Sequence, residues 1–219
     1  MILTVGVLIV AIVFFALLVV VSPLLYKRRL GVKYSFKYMF AFELNYKSVI
    51  RENFYTYLFI ALFVMASIGL FATFDLTYTN GFHIFAMIAG IICSLLIVGI
   101  FMVPLINLRL HVIFASLFFT LNFACAASIL ISAWKSNQEY FSALKIVCIV
   151  IGFIIIILGF ASIINPKMTL DIRAEEQINE NGEKVMVRPK WVVLAFTEWL
   201  HIILFILNMI NITILTFAI

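Results

Sequence analysis

Charge is the scarcest commodity in this sequence. Asp, Glu, Lys and Arg make up 11% of 219 residues, and 66% are hydrophobic. Soluble domains carry about 25% charged residues, so a soluble fold of this size could not cover its apolar surface, and lipid must act as solvent for much of the chain. Cysteine is also rare. Cys93, Cys125 and Cys148 are odd in number, far apart and set in apolar runs, which excludes a disulfide framework and metal-ligand spacing; they read as small packing residues. No phosphate-binding loop is present, so any ATPase would be a separate chain, and no H-E-x-x-H helix supports a metalloprotease. Neither an internal repeat nor a matched pair of Gly/Pro-broken helices marks a transporter substrate site. No cofactor is implied.

What is present is a series of long apolar runs. At about 20 residues per span, the expected helices are Ile2–Leu25, Phe54–Phe74, Phe82–Val103, Val112–Ala133, Ile146–Ile164 and Trp191–Ile219. The stretch from Gly81 to Ala133 is too long for one span and breaks at Pro104–His111, where proline and a costly Arg109 interrupt it. The first run lacks a basic n-region, exceeds a signal-peptide core and is followed by Tyr26, Lys27, Arg28 and Arg29, so it reads as a retained helix with a stop-transfer flank.

The loops alternate in charge. Segments 26–53, 104–111 and 165–190 hold thirteen of the fifteen Lys and Arg, leaving only Lys135 and Lys145 for the other side. The positive-inside rule puts those three segments in the cytoplasm and, by parity over six spans, both termini outside. The expected fold is one all-α polytopic membrane domain over residues 1–219, a bundle of six transmembrane helices. The excess of basic residues, formally +5, answers to an anionic inner leaflet rather than to nucleic acid.

Two cytoplasmic segments carry further pattern. Residues 26–53 mix Lys27, Arg28, Arg29, Lys33 and Lys37 with Tyr34, Phe36, Tyr38, Phe40 and Phe42, the composition of an interfacial element on the inner leaflet. A helix is favoured there over a strand, because an unpaired strand edge is expensive at a membrane. Residues 168–188 read as a short β-hairpin or a helix. In the hairpin, Asn181-Gly182 suits a type I′ turn, with Ile178 facing Val185 and Glu175 facing Arg188.

Small residues four apart mark close helix packing in lipid. Ala86, Gly90 and Ser94 line the third helix, and Ser116, Thr120, Ala124 and Ser128 line the fourth, so these two are expected to pack through those faces.

Ionisable groups inside the membrane are the default functional candidates. On the sixth helix Glu198 and His201 are three apart. At about 1.5 Å per residue from Trp191, His201 lies about 15 Å in, near the middle of a core about 30 Å thick. Thr197, His201, Asn208 and Asn211 fall within an arc of about 80°, with Glu198 beside it, and Asn122 on the fourth helix matches His201 in depth. Glu198, His201, Asn208 and Asn122 are therefore the candidate polar site. Interhelical hydrogen bonding explains them first, a proton or ion path second and an acid–base pair third. No catalytic or metal-binding set can be read. The leading functional expectation is a protein that works by contact with a membrane-protein partner or a second copy of itself, followed by a small transporter or channel for ions, protons or a lipid-like solute, and then by a lipid-modifying enzyme.

Overall fold

The computed structural model describes residues 2–45, 53–73, 80–103, 107–135, 143–166, 175–178, 184–187 and 191–218. Six helices account for most of them: α1 Ile2–Leu30, α2 Phe54–Ala72, α3 Gly81–Met102, α4 Leu108–Lys135, α5 Ala143–Ile163 and α6 Val193–Ala218. All six are long and apolar enough to cross a bilayer. A helix satisfies its own backbone hydrogen bonds, which is the condition for passing through hydrocarbon.

Helix ends depart from the expected ones for local reasons. α1 continues past Pro23 to Leu30, so Lys27, Arg28 and Arg29 form its last turn, where cations complement the helix dipole. Gly31 ends it in the left-handed conformation (φ 71°), its N–H donating to Lys27 O at 2.8 Å, a glycine-capped terminus. α3 starts at the Asn80 side chain, which accepts from His83 N at 2.9 Å. α4 begins at Leu108 rather than Val112. Arg109 and His111, expected in a loop, therefore belong to its first turn.

Helices adjacent in sequence pack side by side, and α6 touches each of the other five. Its apolar window is 61% buried, against 17% for α1 and 22% for α5. α6 is thus the central helix, while α1 and α5 present most of their surface outward.

Residues 31–45 do not form the interfacial helix expected over 26–53. They run as coil and turn into a 3-10 helix, Ala41–Asn45, and fold into the end of the bundle. Tyr34, Met39, Phe40, Ala41, Phe42 and Leu44 are all buried. The physical reason lies in their hydrogen bonds, which go to helices rather than to the headgroup zone: Trp199 Nε1 donates to Tyr34 Oη and to Met39 O, each 3.1 Å away. Val192 N donates to Lys37 O at 3.0 Å, and Asn45 Nδ2 to Phe101 O at 3.2 Å. Arg29 holds the return path through Asn53 Oδ1 and Leu44 O. Lys27, Arg28, Lys33 and Lys37 remain exposed, while Arg29 is half-buried.

Between α5 and α6, β1 (Glu175–Ile178) and β2 (Lys184–Val187) pair antiparallel. The register differs by one residue from the expected one: Ile178 faces Lys184 rather than Val185, and Glu175 faces Val187 rather than Arg188. Five residues separate the paired Ile178 and Lys184, an odd number, whereas a two-residue turn requires an even one. The Asn181-Gly182 turn itself lies outside the described residues.

The α3–α4 contact is present, with Ala86 of the expected α3 stripe taking part in it, while two of the expected α4 positions are turned outward. Ser116 and Thr120 are exposed. Ala86 O instead accepts from Cys125 Sγ at 3.4 Å, and Phe118 O lies 4.0 Å from Cys93 Sγ. Gly90 makes its close approach to α2: a Cβ there would fall 2.3 Å from the Phe71 ring.

Candidate functional site: a buried polar line along helix six

Five polar residues of α6 lie along one side of the helix, and the core closes over them. Thr197, Glu198, His201, Asn208 and Asn211 are each at most 1% exposed. From Thr197 to Asn211 is fourteen residues, about 21 Å at 1.5 Å per residue, or most of the hydrocarbon thickness.

At the end nearest residues 31–45, Glu198 is bonded through both oxygens. Oε1 accepts from Ala41 N at 2.8 Å, and Oε2 lies 2.8 Å from His111 Nε2. His111 Nδ1 is 2.9 Å from Val103 O. A carbonyl can only accept, so Nδ1 carries a hydrogen. Nε2 and Oε2 then share one proton, as imidazolium facing carboxylate or as imidazole facing carboxylic acid. Both forms are neutral overall, which is what a buried pair in an apolar interior requires. Phe40 and Phe42 pack edge-on against the His111 ring, with centroids 5.9 and 5.5 Å away.

The partner of Glu198 is therefore His111 of α4, and no hydrogen bond joins Glu198 to His201. His201 turns toward α5. Its Nε2 is 3.2 Å from Ser162 Oγ, whose own hydrogen goes to Gly159 O at 2.8 Å. Ser162 can then only accept, so His201 Nε2 bears the hydrogen and Nδ1 is a bare acceptor. Nδ1 is buried with no hydrogen-bond partner among the described residues. Phe119 stacks on the ring at 4.2 Å, 21° from parallel.

One turn and more further along, Asn122 of α4 clamps α6. Its Nδ2 donates to His201 O at 3.0 Å, and it accepts from Asn208 Nδ2 at its backbone O (3.0 Å) and at Oδ1 (2.7 Å). Backbone carbonyls fix both amide orientations, so Asn208 Oδ1 is left as an acceptor. It too is buried without a partner among the described residues, as are Thr197 Oγ1 and both amide atoms of Asn211.

The four candidate residues thus share one interface among α4, α5 and α6, and His111, Ser162, Thr197 and Asn211 join them. Sequence inspection had placed His111 at a helix end, and its distance of 87 residues from Glu198 concealed the pairing. Fold and site together define a multi-pass membrane protein with a polar line through its central helix. Comparison with protein-family models, with curated proteins and with solved structures finds no match for the chain.

Proposed function

We propose that the protein is a small membrane transporter or channel that moves protons along the inner face of α6. One observation carries this reading. Thr197 Oγ1, His201 Nδ1, Asn208 Oδ1 and both Asn211 amide atoms are buried on one helical face with no hydrogen-bond partner among the described residues. A buried polar group left unpaired costs about 1–3 kcal/mol, and four such residues on one face are more than interhelical bonding asks for. Water-ordered groups ending in titratable ones supply what a proton path needs. His201 and the Glu198–His111 pair can take and release protons, while the Thr197 hydroxyl beside them and the Asn208 and Asn211 amides beyond His201 can orient water. The proposed orientation puts the end holding residues 31–45 in the cytoplasm of a cell membrane, both termini outside, with Lys27, Arg28, Lys33 and Lys37 against anionic lipid.

Proton flux into purified proteoliposomes tests it. Glu198→Gln and His201→Gln keep size and hydrogen-bonding capacity but cannot relay a proton, so flux should vanish in both while the fold survives. Wild-type vesicles no leakier than protein-free ones would refute the proposal.

A contact role, with another membrane protein or a second copy, is the second reading. The paired strands β1 and β2 favour it, because a two-stranded ribbon is marginal without a surface to rest on. The aromatic segment 31–45 supports it less, since Tyr34, Phe40 and Phe42 are buried inside the bundle. Pull-down of a defined membrane partner that is lost on deleting residues 175–187 would support this reading.

A further inference from the structure

The polar line is not continuous. Leu204 lies between His201 and Asn208, and at 100° per residue it falls inside the arc that holds Thr197, His201, Asn208 and Asn211. It is 1% exposed and forms an apolar cluster with Ala126 of α4 and Ile155 of α5, themselves 0% and 1% exposed. Leu200, Leu207, Ile151 and Ile156 pack around these three. α5 packs against α6 here: a Cβ added at Gly159 would sit in ordinary van der Waals contact, 3.5 Å from His201 Cε1 and 3.6 Å from Leu204 Cδ1.

The unpartnered atoms therefore fall into two groups. Thr197 Oγ1 and His201 Nδ1 are on one side of the apolar cluster, Asn208 Oδ1 and the Asn211 amide on the other. About 10 Å of helix separates His201 from Asn208, and the α6 residue on this face within that interval is Leu204. The Asn122 amide also spans the interval, but its bonds to the His201 backbone carbonyl and to Asn208 are already made, so it holds α4 to α6 and leaves no unpartnered polar atom there for water. A constriction lined by apolar side chains excludes water and blocks conduction by dewetting, without any plug or charge.

We propose that Leu204, Ile155 and Ala126 form a hydrophobic gate that divides the α6 path into two polar compartments. This rests on the transport reading above and assigns the point at which transport is controlled. The gate opens by a small separation of α5 from α6, which lets water join His201 to Asn208. No covalent step is involved, and the two compartments keep their own hydrogen bonds in either condition.

The experiment measures proton entry into proteoliposomes loaded with a pH-sensitive dye, under an imposed potassium diffusion potential. Leu204→Ser should raise the rate at least tenfold over wild type, because a hydroxyl wets the constriction. Ile155→Ser, which opens the same cluster from α5, should do likewise and carries the test if Leu204→Ser does not fold. Leu204→Met keeps volume and apolarity and should leave the rate unchanged. So should Ile203→Ser, which adds the same hydroxyl to the same helix on an outward position that is 48% exposed. Wild-type flux that is sensitive to His201→Gln but indifferent to both gate serines would overturn the gate and leave the transport reading standing. An equal rise in Ile203→Ser would overturn it as well, by showing a nonspecific leak. No flux in any variant would remove the transport reading and the gate together.

Discussion

Replacing Glu198 by leucine tests whether one carboxyl group locks residues 31–45 into the bundle. Leucine matches the apolar core in size but accepts no hydrogen bond. Ala41 N–H, 2.8 Å from Oε1, and His111 Nε2, 2.8 Å from Oε2, would both lose their partner. Each buried orphan costs about 1–3 kcal/mol, so the loss should be about 2–6 kcal/mol. For a chain of this length 1 kcal/mol moves the melting temperature by about 2–4 °C, so a drop of at least about 4 °C is expected in detergent. Glutamine is the control. Its oxygen can still accept from Ala41, and its NH₂ can donate to the bare Nε2 of a neutral His111. If the native pair is carboxylic acid and imidazole, Glu198→Gln should cost less than about 1 kcal/mol. If it is an ion pair, the lost charge-assisted bond should cost about 1.5–3 kcal/mol. Local release is read separately through Trp199, whose indole bonds Tyr34 and Met39 and packs edge-on to Phe36 at 4.8 Å. With Trp134 and Trp191 replaced by phenylalanine, its emission should shift red in Glu198→Leu and stay put in Glu198→Gln. A leucine variant with unchanged melting temperature and unchanged emission would refute the lock.

Three further outcomes follow from particular contacts. Gly90→Ala would drive a methyl group into the Phe71 ring at 2.3–2.5 Å and should cost about 1–3 kcal/mol in overpacking, whereas Gly6→Ala on α1, with nothing within 4 Å, should be neutral or gain up to about 1 kcal/mol from helix propensity; detergent melts of both variants check the contrast. Burial, with the carboxyls of Glu43 and Glu198 adding to it, holds the Tyr34 hydroxyl well above its ordinary pKa. The folded protein therefore keeps a proton that the unfolded chain releases above about pH 10, stability falls as pH rises beyond that point by about 1.4 kcal/mol per unit for this one group, and Tyr34→Phe should remove that part of the slope in alkaline unfolding titrations. Finally, the three native cysteines are buried, so single cysteines introduced at Tyr78 or Asn137 should react with an impermeant maleimide on intact cells while those at Leu30 or Glu180 should not; labelling at Glu180 would break the proposed orientation.

The spans and the polar face of α6 were legible because each is written in local periodicity. Twenty apolar residues announce a helix wherever they occur, and Thr197, His201, Asn208 and Asn211 share a face for any helix that contains them. What each polar residue bonds is a different matter, because the partner is fixed by how helices are placed around one another. Glu198 and His201 are three apart and would suit each other on an isolated helix, yet the carboxyl reaches α4 and the imidazole reaches α5. Residues 31–45 misled for a related reason. Their aromatic and basic composition fits the headgroup zone, and the lysines do stay exposed, but Tyr34, Phe40 and Phe42 turn inward. The one local sign was Glu43, an acid between Phe42 and Leu44 in a basic segment, whose Oε1 accepts from Phe40 N at 2.9 Å and closes the 3-10 turn.

The small-residue stripes show where such local signals stop. A glycine or serine every fourth residue says that some backbone can come close, and it does not say which one. On α3 the signal is real at Gly90, but the neighbour is Phe71 of α2 rather than a residue of α4. On α4 the same spacing has another origin. Thr120 Oγ1 donates to Ser116 O at 2.9 Å, and a hydroxyl satisfied within its own helix can face lipid without an unpaired polar atom. The exposed face of α4 therefore needs no partner helix to explain it, whereas the face that meets α6 holds Asn122, which spends its amide on two residues of that helix. In this bundle the distinction between lipid-facing and interior polar residues is drawn by where the hydrogen bond goes: back along the same helix for Thr120, across to α6 for Asn122 and His111.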